Sequence, residues 1–340
     1  MNPLANEELI LLSYSDLKDL LKRVLKNYNF RDHKAEILAD VFTRSSLDGV
    51  YSHGVNRFSR FIDTVKMGFV KKDEEPTLNY TFGATEKWNG NGGPGILNAL
   101  AMMNRSMEIA SVSGIGCIGL SNTNHWMRGG TYGWQAAEAG FIGICFTNTK
   151  PNMIPWGGSE SRLGNNPFVI GIPRKKGHVV MDLAISQYSF GKIQEYAMKE
   201  EKLPFPGGFD DNGNLTNDPF TIIRNEKSLP VGLWKGTAMS MMVDLLASIL
   251  SGGDSSCKIG SRKEEYGLSQ VFIAIHPHMI SENEMERIIE EVIAYTHDVP
   301  GFHPEDKTYY PGEKTLLTRI RNKEHGIPVN KKIYEEILQL

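Results

Sequence analysis

The chain has 340 residues, with 37 Lys plus Arg against 40 Asp plus Glu and a formal charge of −3. At roughly 100–200 residues per domain that length allows two or three domains, each with its own core. The near balance of charge excludes the electrostatic footprint of a nucleic-acid or anionic-membrane binder. Glycine is the compositional oddity at 34 residues, above the usual share of about 7%, so some glycines must stand where backbone approaches something closely. Cys117, Cys145 and Cys257 cannot all pair and lack the spacing of a zinc site or redox pair, which fits a reducing cytoplasm. Met1 to Ser13 carries Glu7 and Glu8 and no basic leader, so it reads as a poor signal peptide. Ala238 to Leu250, the most apolar stretch, is broken by Asp244 and falls short of the roughly 20 residues a membrane span needs. A soluble, cytoplasmic chain is expected.

Helical spacing comes first in chain order. Ser15 is a plausible N-cap for a helix with Leu17, Leu20, Leu21, Val24 and Leu25 inward. Ala35, Leu38, Ala39 and Phe42 mark a second helix, and Phe58, Phe61, Ile62 and Val65 a third that ends near Gly68. From about residue 80 the pattern changes to short apolar runs at Ile115–Leu120, Phe141–Thr147, Pro167–Ile172 and His178–Leu183, with helical segments at Gly95–Ala110 and Thr131–Ala139 between them. This alternation predicts an α/β fold with a mixed sheet covered by helices. Phe205–Pro219 is turn material, followed by a helix at Thr237–Leu250 and a strand at Gln270–His276. Charged amphipathic helices close the chain at Glu282–Tyr295, Lys314–Lys323 and Asn330–Leu340. The two helical ends are expected to pack together as one discontinuous unit, residues 1–75 plus 236–340, around a central α/β unit at 76–235.

Gly90-Asn91-Gly92-Gly93-Pro94-Gly95 matches G-x-G-x-x-G, but its context fails the dinucleotide fingerprint. The acid about 20 residues on, Glu108, falls inside a helix, and the next strand ends in Ser121-Asn122-Thr123-Asn124. A glycine-rich helix entry is the better reading, and the fold is expected to be non-Rossmann. Asp210, Asp211 and Asn214 miss the EF-hand positions, and His276 and His278 lack a third ligand, so no metal site is expected.

Tyr51-Ser52-His53-Gly54-Val55-Asn56-Arg57-Phe58 carries chemistry. A histidine that can deliver a proton near neutral pH stands four residues before an arginine that can grip a carboxylate with two parallel hydrogen bonds. Asn124-His125-Trp126-Met127-Arg128-Gly129-Gly130 likewise sets polar groups at a strand end before a helix, where α/β proteins place ligands.

These blocks, with Tyr132–Glu138, Gly143-Ile144-Cys145, Pro155-Trp156-Gly157, Gly207–Asp211, Trp234-Lys235-Gly236 and Glu265-Tyr266-Gly267, resemble the malate/L-lactate dehydrogenase type 2 family from about residue 13 to 340. The resemblance implies a homodimeric reductase that uses NADH, with NADPH the alternative, to reduce the 2-oxo group of a sugar-derived 2-oxo acid. Two alternatives stand beside it: reduction of a simpler 2-oxo acid or cyclic imino acid, and a sugar-acid-binding protein that does not turn over. By the resemblance His53 is the proton donor, Arg57 holds the substrate carboxylate, and Asp182 orients His53 and raises its pKa. His125 lines the same cleft. Asn166 of Gly164-Asn165-Asn166-Pro167, where the family often has Gly-Thr-Asn-Pro, joins the substrate-binding residues. Cofactor contacts are implied at His178, Val179, Val180, Met181, Asp182, Leu183 and Ala184, at Trp234 and Lys235, and at Gly312, Glu313 and Lys314.

Overall fold

Ser13, two residues before the expected cap, begins the first helix, its hydroxyl accepting from the Asp16 N–H at 3.1 Å. The computed structural model describes residues 8–303 and 305–340; the leader reading of Met1–Ser13 therefore falls largely outside them. The chain opens with β1 (Leu9–Leu12), α1 (Tyr14–Asn27), α2 (Asp32–Leu47), a single 3-10 turn at Tyr51–His53 and α3 (Val55–Lys66). Next come β2 (Thr77–Phe82), β3 (Thr85–Asn89), α4 (Gly95–Ser113), β4 (Ile115–Thr123), α5 (Gly130–Glu138), β5 (Ile142–Thr147), β6 (Phe168–Ile172) and β7 (Val179–Leu183). An excursion holds α6 (Phe190–Met198), a short hairpin of β8 (Gly208–Phe209) and β9 (Leu215–Thr216), and α7 (Pro219–Asn225). The chain then runs through α8 (Trp234–Ser251), α9 (Ser256–Gly260) and β10 (Leu268–Ile275). It closes with α10 (Glu282–His297), α11 (Glu313–His325), β11 (Ile327–Asn330) and α12 (Lys331–Leu338).

The main sheet has seven strands in the order β2-β3-β4-β10-β5-β6-β7, antiparallel except where β3 runs parallel to β4. α4 and α5 cover one face and α8 the other. Strand alternation feeds both layers: Phe272 and Ala274 of β10 point to the core with Met102, Trp126 and Tyr132, while Val271 packs with Val243 and Ala247 of α8. The fold is thus a mixed, helix-covered sheet. The expected boundary at residue 235 does not follow the packing, however. β10 is the central strand and α8 lies on it, so residues 236–275 belong with the sheet. Sequence proximity to the C-terminal helices carries no information about which neighbours a strand will hydrogen-bond.

The chain ends do come together. β1 pairs antiparallel with β11, from Leu9 opposite Asn330 to Leu12 opposite Ile327. Leu17, Leu21, Leu38, Phe42, Phe58 and Ile62 share one core with Ile327, Val329 and Ile337. One buried ion cluster ties this helical layer to the sheet. Asp48, just past α2, accepts from Arg128 Nη1 and from Arg319 Nε at 2.6 Å and Nη2 at 2.8 Å, and the Arg319 guanidinium lies 4.6 Å from the Trp134 ring centre. The two guanidiniums hold the Asp48 carboxyl below the usual carboxylate range against the opposing effect of burial. Asp48→Ala leaves the buried Arg128 without its ion-pair partner. Urea unfolding followed by circular dichroism should show a loss of about 3–5 kcal/mol.

Candidate active site

The Tyr51–His53 turn is pressed against α2 because Gly54 allows it. A side chain at Gly54 would collide with the Ser46 hydroxyl, which donates to the Phe42 carbonyl at 2.9 Å and accepts the Val55 N–H at 2.8 Å, starting α3. Across the cleft, Gly191 of α6 lets that helix approach Ser52, where a Cβ would lie 2.5 Å from the serine's own. His53 is left with Nδ1 beside Ser52 Oγ at 3.1 Å and its ring stacked on His125, centroids 5.7 Å apart and planes inclined by 16°. His125 Nδ1 accepts the Met127 N–H at 2.9 Å, so the proton of the neutral ring sits on Nε2. Burial, helped by the positive charges nearby, lowers both rings to about 3, with Arg57 acting on both and His125 and Arg128 on His53.

Arg57 and His125 line a cavity of about 420 Å³ together with Arg60, Asn124, Lys150, Asn152, Phe190, Glu264 and Glu265. Arg60 is paired with Glu264, and Lys150 Nζ donates to the Lys263 carbonyl at 2.8 Å. Among the described residues Arg57 forms no ion pair, so it is free to take an incoming carboxylate in the planar, two-bond geometry guanidinium favours. The His53, Arg57 and His125 group is therefore brought together as the blocks predicted. Lys150 and Asn152, on the loop after β5, carried no pattern to single them out, and Glu265 stood in the Glu265-Tyr266-Gly267 block without a role.

Two expectations need correction. Asp182 does not charge His53: its Oδ2 accepts the Gly130 N–H at 2.7 Å, Arg128 is the cation that faces it, and the His53 pKa is lowered, not raised. Gly130 is glycine for this reason, since a Cβ there would lie 2.8 Å from Asp182 Oδ2. Burial pushes the Asp182 carboxyl up. Asn166 is a structural peg rather than a wall of the cavity. Its Oδ1 accepts the Thr149 N–H at 2.9 Å and its Nδ2 donates to the carbonyl and hydroxyl of Ser240, both at 3.0 Å, which uses up the amide.

The implied cofactor segments gather along β7, the strand at one edge of the main sheet. The Val180 N–H donates to Pro311 O at 2.9 Å, and a Cβ on Gly312 (φ 96°) would meet Val180 N at 3.2 Å and His178 O at 3.3 Å. That seats Gly312, Glu313 and Lys314 at the start of α11 beside His178, Val179 and Val180. Beyond Met181, Asp182, Leu183 and Ala184, the Val231 N–H donates to Ile185 O at 2.9 Å, which sets Trp234 and Lys235 of α8 past the other end of the strand. Neither α8 nor α11 has a side-chain cap; the Lys235 and Glu313 N–H groups donate to the Gly232 and Tyr310 carbonyls, so the helix dipoles and the charges of Lys235 and Lys314 are what each start offers a phosphate. Side-chain duty differs within the set: Glu313 accepts the Tyr310 N–H at 3.0 Å and faces His297 at 3.1 Å, and His178 Nδ1 accepts the Arg174 N–H at 3.1 Å. The donor set suits a phosphate-bearing dinucleotide. Gly90 and Gly92 instead donate to the Ser121 and Asn122 carbonyls, closing the α4 entry onto β4.

A family model described as malate/L-lactate dehydrogenase matches residues 12–338, and the chain belongs to that family of oxidoreductases acting on hydroxy and oxo acids, for which a nicotinamide cofactor is implied. Among curated proteins it is similar to 2,3-diketo-L-gulonate reductase of Pasteurella multocida, 42% identical over 97% of this chain and 99% of that one, and to the protein of the same name from Mannheimia succiniciproducens, 40% identical over the same shares. Among solved structures, malate dehydrogenase from Entamoeba histolytica superposes with a TM-score of 0.93 at 25% identity, covering 98% of this chain and 97% of that one. Malate dehydrogenase from Pyrococcus horikoshii gives 0.88 at 29%, covering 97% and 94%. Among the described residues no helix is long and apolar enough to cross a membrane.

The lowered histidines couple the site to stability. A ring at about 3 when folded and about 6.5 when unfolded makes the unfolded state bind more protons between those values, so stability present above about 6.5 is lost as the pH falls toward 3. Thermal melts of His125→Asn between pH 7 and 4.5 should show a shallower decline in Tm than the unsubstituted protein; parallel declines would refute the assignment.

Proposed function

We propose that the chain reduces the C2 carbonyl of 2,3-diketo-L-gulonate with NADH in the cytoplasm, NADPH being the second reading of the cofactor. The unpartnered Arg57 in a polar cavity beside the stacked His53 and His125 is the observation that carries this reading; the names of the relatives at 42% and 40% identity support the substrate. When bound, the reduced nicotinamide supplies the hydride that C2 accepts. Arg57 holds the C1 carboxylate and fixes the orientation of C2. As C2 becomes tetrahedral its oxygen gains negative charge, and His53 supplies the proton that oxygen takes. In the free site His53 is disfavoured as a cation by burial first, then by His125 and Arg57; a carboxylate on Arg57 offsets the last of these and raises the ring's proton affinity.

Self-association is part of the same reading. The only charged residue within Gly236–Ser251, Asp244, turns inward to Asn148 Nδ2 and the Ser256 N–H, both at 2.9 Å. The outward face is left to Met241, Met242, Leu245, Leu246 and Ile249, the last 70% exposed. We infer that a second copy covers this stripe in a two-fold dimer, which would also brace Trp234 and Lys235 on the same helix. Sedimentation velocity should give a dimer for the native chain and a monomer for Leu245→Glu.

Three kinetic outcomes test the chemistry. His53→Ala should lower kcat for NADH-dependent reduction of 2,3-diketo-L-gulonate by about 10²–10⁴-fold, and Arg57→Lys should cost at least about tenfold in kcat/KM because a point charge replaces a fork. The pH limb of kcat should lie above that of kcat/KM, since substrate binding raises the His53 proton affinity. Coincident limbs would separate Arg57 from the proton.

A further inference from the structure

Resting on that reading, we infer that Glu265 and Asn152 form the subsite for the hydroxylated tail of the substrate and that the same pair turns away a second anion. The cavity of about 420 Å³ exceeds what a three-carbon oxo acid needs. Its charges are already apportioned. Arg60 pairs with Glu264, Lys150 Nζ is held by a carbonyl, and Lys263 stands exposed at the rim, which leaves Arg57 to grip one carboxylate and, among the described residues, no buried cation for another.

What remains on the wall is acceptors. Glu265 takes the Lys150 N–H at 2.9 Å through Oε2 and forms no ion pair, so its other oxygen has no partner among the described residues. The Oδ1 of Asn152 is buried with no hydrogen-bond partner, a condition that costs stability unless a ligand supplies a donor. Its backbone fixes it there, the N–H donating to Leu163 O at 3.0 Å and the carbonyl accepting the Ser228 N–H at 3.1 Å. Hydroxyl groups answer both acceptors. A second carboxylate would meet one acceptor charge and one acceptor dipole there, with the Lys150 ammonium held back on the Lys263 carbonyl and Lys263 out at the rim.

The test compares kcat/KM of the NADH-saturated enzyme for 2,3-diketo-L-gulonate, pyruvate and oxaloacetate in the native chain, Glu265→Gln and Asn152→Ala. Gln keeps the shape of Glu265 and still accepts the Lys150 N–H; should it nonetheless fail to fold, Asn152→Ala reads the same ratio. The ratio of the sugar acid to pyruvate should fall about tenfold in each variant, the size of one lost hydrogen bond to a charged or buried partner. In Glu265→Gln, oxaloacetate should gain relative to pyruvate. Ratios within about twofold of the native enzyme in both variants, too small for such a bond, would overturn the subsite while leaving the substrate reading intact. A native enzyme that reduces pyruvate but not the sugar acid would overturn the substrate reading, and the subsite with it.

Discussion

The Asp48 carboxylate is the joint on which the site depends. It is reached from three directions: by α2 of the helical layer, by Arg128 from the loop after β4, and by Arg319 of α11. Arg128 then faces Asp182, with its Nε left buried and unpartnered, and its charge also bears on His53. A buried ion cluster of this kind is poor evidence for net stability, because desolvation offsets much of the attraction. Its value here is geometric. The β7 edge, the His53 turn and the start of α11 come from far-separated stretches of chain, and one carboxylate keeps all three in register.

How far this was legible in the sequence depends on how local each feature is. His53 and Arg57 stand in one eight-residue block, where the Ser-His-Gly turn and the following helix could be read directly. Asp182 could be picked out as an acid on a strand, but its partner could not, because Gly130 and Arg128 are brought to it by the sheet. Asn166 sits in a block that resembles a ligand site, yet Thr149 and Ser240, from other elements, consume its amide. β10 was legible as a strand and illegible as the centre of the sheet, since strand order is set by pairing at long range. The β1–β11 pairing escaped notice for the same reason.

Glycine shows the same division. Gly54 and Gly130 are explained by what they let approach, a serine hydroxyl in one case and a carboxylate in the other. Gly90 and Gly92, the most motif-like pair, bind their own neighbouring strand. A glycine pattern becomes informative only once the atom that replaces its Cβ is known.

The electrostatics of the free site carry a last consequence. Arg57 and His125 line one cavity with His53 stacked behind, and burial together with the Arg57 charge disfavours protonation of both rings. Arg57, which forms no ion pair among the described residues, and the two disfavoured imidazolium forms leave places for negative charge on the substrate. A monoanionic substrate fills one, on Arg57, and the charge that develops at C2 fills a second, on His53. Because the second is filled only as the carbonyl is reduced, that interaction is stronger in the transition state than in the ground state, which is the condition for it to raise the rate rather than merely tighten binding.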